Sequence, residues 1–143
     1  MLTCQLPAAL AVRPDVALIS VVGVDVLGNG FNITEITGTM DDLIGPLADA
    51  GAEIVTVGPF DWARSGTPPD ERRDLMAIRL DHLDAITRRA AERFGGLHVD
   101  THHHPRTADP SIFSADGVHC NAQGHEIAFA SITWAIATSG RWS

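Results

Sequence analysis

The sequence predicts an α/β fold: a parallel sheet sandwiched between two layers of helices. Three observations predict it. Apolar, β-branched runs recur at residues 16–22, 53–57 and 97–100. Segments with apolar residues at helical spacing separate and follow these runs. The first run is apolar almost throughout, which marks a strand buried on both faces. Strands alternating with helices form parallel sheets, since a parallel crossover needs a long connection.

Each element has a local reason. A short helix over 3–12 stops at Arg13-Pro14, where proline removes a donor and restricts the residue before it. The strand over 16–22 follows, then a glycine-punctuated loop over 23–31. Asn32 and Glu35 have capping-box spacing. Ile36, Met40, Leu43 and Leu47 follow at helical intervals, and Gly51 ends that helix. The strand over 53–57 leads into a loop over 58–66 that carries Phe60 and Trp62.

Thr67, Pro68 and Asp70 open the next helix, with proline in its first turn. Its apolar stripe is Met76, Leu80, Leu83, Ile86 or Thr87, Ala90 and Phe94, and Gly95-Gly96 stops it. A short strand over 97–100 and a long loop over 101–120 follow. Asn121 caps a last helix containing Ile127, Ala130 and Trp134. No repeat, linker or low-complexity tract interrupts the series.

The bulk properties exclude several classes. A length of 143 residues suits one domain with one core. Hydrophobic residues at 45% and charged residues at 20% fit a globular chain. A formal net charge of −8 argues against nucleic acid or an anionic membrane surface as partner. Arg72, Arg73, Arg88, Arg89 and Arg93 are interleaved with acids and read as a solvated face. Cys4 and Cys120 form no disulfide framework and no CxxC pair, so a reducing, cytoplasmic compartment is expected. The first residues lack the basic and apolar regions of a signal peptide, and no apolar run is long enough to span a membrane.

Active sites of parallel α/β sheets lie at the carboxyl ends of the strands. Three loops meet that edge here, over 23–31, 58–66 and 101–120. The third holds Asp116 and His119 in FSADGVHCNAQGHE. Histidine titrates near ~6.5 and serves as base and then acid. A carboxylate three residues earlier on a tight turn can fix its tautomer, and Gly117 lets the turn close. A polar loop before a helix remains the alternative.

The first loop offers Gly23, Val24 and Asp25, where backbone can approach a ligand closely. It also reads as a plain strand-to-helix turn. The run Thr101-His102-His103-His104, with Asp100, Asp109, Asp116 and His119, invites a metal reading. Adjacent histidines point different ways, so a solvated loop is the preferred reading and no metal site is assigned. Phe60, Trp62 and Phe113 line a possible acyl or aromatic pocket, or belong to the core.

Together these residues resemble the SGNH, or GDSL-type, serine hydrolases. Asp116-Gly-Val-His119-Cys-Asn121-Ala-Gln-Gly124-His125 matches that family's DGxH-P-N-x-x-G-H block, with Cys120 where proline is common. The order of the remaining elements also fits, over nearly the whole chain. The resemblance implies the three-layer, flavodoxin-like fold of those enzymes, and ester hydrolysis by a Ser-His-Asp triad without metal or organic cofactor. By it, His119 is the triad base and Asp116 its orienting carboxylate.

Two departures carry consequences. The family's strand before this loop ends in Gly-x-Asn-Asp, and the match here reads Val22-Gly23-Val24-Asp25. A valine side chain cannot donate to an oxyanion. The chain also contains no Gly-Asp-Ser and no G-x-S-x-G elbow. The resemblance thus describes residues 1–143 as a single partial domain lacking its first strand–helix–strand unit and nucleophile. The strand over 16–22 is then an edge without protective charge, so the isolated chain is expected to self-associate. Three readings follow: an esterase or lipase-like acyl hydrolase of small-molecule esters, inactive in this form; a non-catalytic relic or small-ligand binder; and a metal-dependent hydrolase using the loop from Asp100 to His119.

Overall fold

The computed structural model describes residues 5–21, 24–66 and 70–142, with the side chains of Val24, Asp25 and Asp70 excepted. Three strands, β1 (Val16–Ser20), β2 (Glu53–Val57) and β3 (Leu97–Val99), form a parallel sheet in the order β1-β2-β3. Leu18 pairs with Val55, and Val55 with Leu97. Helix α1 (Gln5–Val12) precedes β1, and a single turn α2 (Val24–Leu27) interrupts the loop after it. Helices α3 (Ile33–Asp49), α4 (Asp70–Arg93) and α5 (Ala122–Thr138) complete the series. The alternation read from sequence is therefore the fold. Thr67, Pro68 and the start of the first helix lie outside the described residues.

Local chemistry sets the boundaries. Asn32 accepts from the amides of Thr34 and Glu35 at 3.0 and 3.3 Å, satisfying donors the helix leaves orphaned. Asn121 does the same for Gln123 and Gly124 at 2.9 and 3.2 Å. Gly96 stands where a Cβ would lie 2.6 Å from the Ile54 carbonyl, so only glycine lets β3 begin beside β2.

The sheet has two unequal faces. Ala17, Ile19 and Ile54 pack with Met40, Leu43, Ile44 and Leu47 of α3 and Leu80 and Leu83 of α4. On the other face Val55, Val57 and Val99 meet Ile132 and Ala135 of α5. Helix α5 stops short of β1. Leu18 is 54% exposed although its neighbour Val55 is fully buried.

This corrects the expectation that the first strand is buried on both faces. It is buried on one, because no element among the described residues covers the other. The strand also ends at Ser20 rather than residue 22. Trp134 and Phe129 of α5 are likewise exposed, at 70% and 71%.

Candidate functional site

The loop after β3 is folded back on itself by an antiparallel bridge between Phe113 and Cys120. Ser114 N–H donates to the His119 carbonyl at 2.7 Å, and Gly117 N–H to the Ser114 carbonyl at 2.9 Å. Gly117 has φ +69°, a left-handed conformation that residues with a Cβ rarely adopt. Asn121 ties the loop to α5, since its amide group donates to the carbonyls of Ser111 and Phe113 at 2.8 and 3.0 Å.

This turn brings Asp116 and His119 together. Asp116 Oδ2 lies 2.6 Å from His119 Nδ1, and Oδ1 accepts the amides of Val118 and His119 at 3.0 Å each. The Val118 amide, then the His119 ring and amide, hold the Asp116 carboxyl at about 2, below its ordinary 3.8. A carboxylate facing Nδ1 requires the proton on that nitrogen, which leaves Nε2 as the basic one.

His119 borders a cavity of about 210 Å³ at the carboxyl edge of the sheet. Ser20, Val57, Gly58, Phe60, Trp62, Cys120 and His125 also line it. Phe60 and Trp62 are therefore both core and wall, at 9% and 4% exposure. Phe113 lies in the core cluster and does not line the cavity. Burial pushes the Cys120 thiol pKa up, which disfavours the reactive thiolate. Gly23 lies outside the described residues, as do the side chains of Val24 and Asp25.

The three histidines point three ways. His102 is buried between the Pro59 carbonyl at 3.1 Å and Asp81 Oδ1 at 2.9 Å. His103 Nδ1 lies 3.0 Å from Asp100, and His104 Nδ1 accepts from the Arg106 amide at 3.1 Å. Two groups do collect ligand-type atoms within 4.8 Å: Asp61, Asp81 and His102, and Asp84, Asp100 and His103. Arg64 bonds both carboxylates of the first and Arg88 both of the second. Guanidinium ions already supply the positive charge that these acids call for. Neither group includes Asp116 or His119, so the loop from Asp100 to His119 does not assemble into one ligand set.

The sequence reading missed this polar layer. Its signal was present as Asp81, Asp84 and Arg88, which fall on one face of α4 at intervals of three and four. It also missed Thr101 and His125 as cavity residues. Thr101 follows β3 and His125 lies on α5, so their meeting at the cavity depends on packing between distant segments, which no local pattern records.

The fold has counterparts among solved structures. An α/β-hydrolase enzyme from the metagenome of Lake Arreo, Spain, superposes with a TM-score of 0.76 at 21% identity, over 95% of this chain and 66% of that one. A lipase/acylhydrolase from Enterococcus faecalis gives 0.68 at 18% identity, over 89% and 63%. The chain thus spans just under two thirds of each structure's length, and at these identities the likeness is one of fold. No curated protein matched. The family model for GDSL-like lipases and acylhydrolases matches residues 1–127, including the loop of Asp116 and His119. On that match, the chain belongs to the GDSL-like lipase/acylhydrolase family.

Proposed function

We propose that this chain carries the acid–base half of a serine acylhydrolase site acting on small-molecule esters. One observation carries the reading: His119 Nδ1 is engaged by Asp116 at 2.6 Å while the ring borders an apolar cavity. In the reaction a serine oxygen attacks the ester carbonyl, and its proton passes to His119 Nε2. Collapse of the tetrahedral intermediate expels the alcohol, which takes that proton. Water repeats the cycle on the acyl-enzyme. Asp116 holds the ring's tautomer throughout. No metal or organic cofactor enters.

The nucleophile in this reading comes from polypeptide outside the 143 residues, in a single domain of which this chain is part. Two features support that. The sequence has no Gly-Asp-Ser, and among the described residues no strand pairs with the outer edge of β1. A slot of about 440 Å³ runs along that edge, lined by residues from both faces of β1 and by α1 and α3. Such a slot suits a further strand. The same open edge supports self-association of the isolated chain, read as oligomer on gel filtration. No described helix is long and apolar enough to cross a membrane, and the free thiol of Cys120 favours the cytoplasm.

The test is expression from the whole reading frame, followed by labelling with a fluorophosphonate. Labelling that depends on His119 supports the reading. A folded product that resists the label overturns it.

Val24 favours a second reading, a non-catalytic ligand-binding shell, because valine stands where the family's oxyanion donor belongs. One lost donor costs about 10²–10³ in rate. Val24→Asn should restore that much hydrolysis if the site is catalytic, and none if it is a shell.

A further inference from the structure

A second cavity, of about 510 Å³, is lined by Ser131 and Trp134 of α5 and by Asp100, His103, His104 and Pro105 from the loop after β3. It shares no lining residue with the cavity of His119. The strand proposed above adds beside β1, at the opposite edge of the sheet from β3, and leaves this cavity open. Trp134 lines it and is 70% exposed. A large aromatic plate therefore stands uncovered beside polar groups.

The polar groups have definite hydrogen-bonding roles. His103 Nδ1 faces Asp100 Oδ1 at 3.0 Å, which puts the proton on Nδ1 and leaves Nε2 an acceptor. His104 Nδ1 accepts the Arg106 amide at 3.1 Å, which puts the proton of the neutral ring on Nε2 and makes it a donor. Among the described residues neither Nε2 has a protein partner. Ser131 donates to the Ile127 carbonyl at 2.8 Å and keeps its oxygen free to accept. Asp100 is already engaged by the His103 amide and ring and by Arg88 at 2.9 Å, and no Lys or Arg lines the cavity among the described residues. Nothing in the lining favours a charged ligand over a neutral one.

We infer that this cavity is a binding site for a neutral carbohydrate, with a pyranose ring stacked on Trp134 and its hydroxyls on His103, His104 and Ser131. A pyranose presents an apolar C–H face to an aromatic ring, and each hydroxyl on its rim both donates and accepts. A wholly apolar ligand would cover the two histidine nitrogens without pairing them, which costs free energy. The inference is independent of the serine reading, because the two cavities are lined by different residues.

The experiment titrates tetrasaccharides of β-linked glucose, of β-linked xylose and of N-acetylglucosamine into the 143-residue chain by calorimetry. Trp134 emission is followed in parallel in a Trp142→Phe background. Sorbitol at equal hydroxyl concentration is the control, since it carries the hydroxyls without a flat apolar face. At least one tetrasaccharide should bind saturably with a Kd of about 1 mM or tighter and change the emission, and sorbitol should do neither. Trp134→Ala should weaken binding about tenfold or more, and Trp134→Phe, which keeps a ring, should lose less. His103→Ala should weaken it about threefold to tenfold. Both side chains are mostly exposed, so these variants should melt within about 2 °C of wild type.

No saturable binding of any of the three sugars, equal binding of sorbitol, or undiminished binding by Trp134→Ala each overturns the inference. Fluorophosphonate labelling reads His119 and this titration reads Trp134, so the two can fail separately.

Discussion

Gly124→Ala tests how the site loop is anchored. Gly124 sits in the first turn of α5, and a Cβ there would lie 2.5 Å from the Ile112 carbonyl oxygen and 2.9 Å from Cys120 Cβ. Neither atom can give way without moving the backbone. Overpacking of this kind costs about 1–3 kcal/mol, and replacing glycine by alanine in a helix returns at most about 1 kcal/mol. A net loss of about 1–2 kcal/mol is expected. The Ile112 carbonyl also accepts the Asn121 amide at 3.0 Å, so the shift reaches the cap that holds the loop of Asp116 and His119.

Gly38→Ala is the control, since that helical glycine has nothing within 4 Å of its would-be Cβ. It should stabilise by about 0.5–1 kcal/mol. For 143 residues the unfolding entropy makes 1 kcal/mol about 3 °C. Melts followed by circular dichroism, at equal protein concentration, should then fall about 3–6 °C for Gly124→Ala and rise about 2–3 °C for Gly38→Ala. A Gly124→Ala protein that melts at or above the wild type, with Gly38→Ala behaving as stated, would refute the anchoring argument.

Asp116→Asn keeps an oxygen for the Val118 and His119 amides but offers His119 Nδ1 a donor in place of an acceptor. The ring then takes the wrong tautomer, and kcat of the full reading-frame product should drop about 10⁴-fold with its dichroism unchanged; an activity within tenfold of wild type would contradict the assigned role. Asp116, held at about 2 chiefly by the Val118 amide, contributes stability that is complete above its ordinary 3.8 and is lost as pH falls from about 4 to 2. The Val118 and His119 amide proton shifts should accordingly titrate with a midpoint near 2, and a midpoint near 4 would deny those hydrogen bonds. Arg64→Ala strips the nearly buried Asp61 carboxylate of its guanidinium partner and keeps the hydrogen bond from the amide of residue 64. Urea denaturation should show a loss of about 1–3 kcal/mol, discounted for the half-exposed arginine, with Asp61→Asn in the same background recovering part of it. Leu18→Lys, on the uncovered face of β1, should leave the isolated chain within about 0.5 kcal/mol of wild type while reducing its oligomers on gel filtration; oligomers that persist unchanged would locate self-association elsewhere.

The sheet and its helices were legible because their signals are local. A capping side chain such as Asn32 or Asn121 acts within three residues, and a stripe such as Met40, Leu43 and Leu47 declares its own face. The pairing of Asp116 with His119 was legible for the same reason: both lie on one turn. What was not legible depends on partners distant in sequence. Phe113 reads like Phe60 in composition, yet both lie in the core cluster and Phe60 alone of the two also lines the cavity. Asp61 reads as a loop acid, and only the approach of Thr107, Arg64 and α4 buries it.

β1 is the instructive disagreement. Leu18 and Val55 are paired neighbours on one face, similar in apolarity, and differ from half-exposed to fully buried. The difference lies in what α5 reaches, not in the residues themselves. An apolar run on both faces is matched to cover on both faces, because each half-exposed Val or Leu forgoes about 1 kcal/mol of burial and presents an open edge to other chains. Val12, Val16 and Leu18 form such an exposed group, beside a slot that opens along the free edge of β1. That slot and the cavity of His119 share Ser20, at the carboxyl end of the same strand. On the proposed reading, a parallel strand in that slot would end beside the cavity that His119 borders. The uncovered face that exposes Leu18 is a separate requirement, because a strand added at an edge lies in the plane of the sheet and only a further layer covers a face.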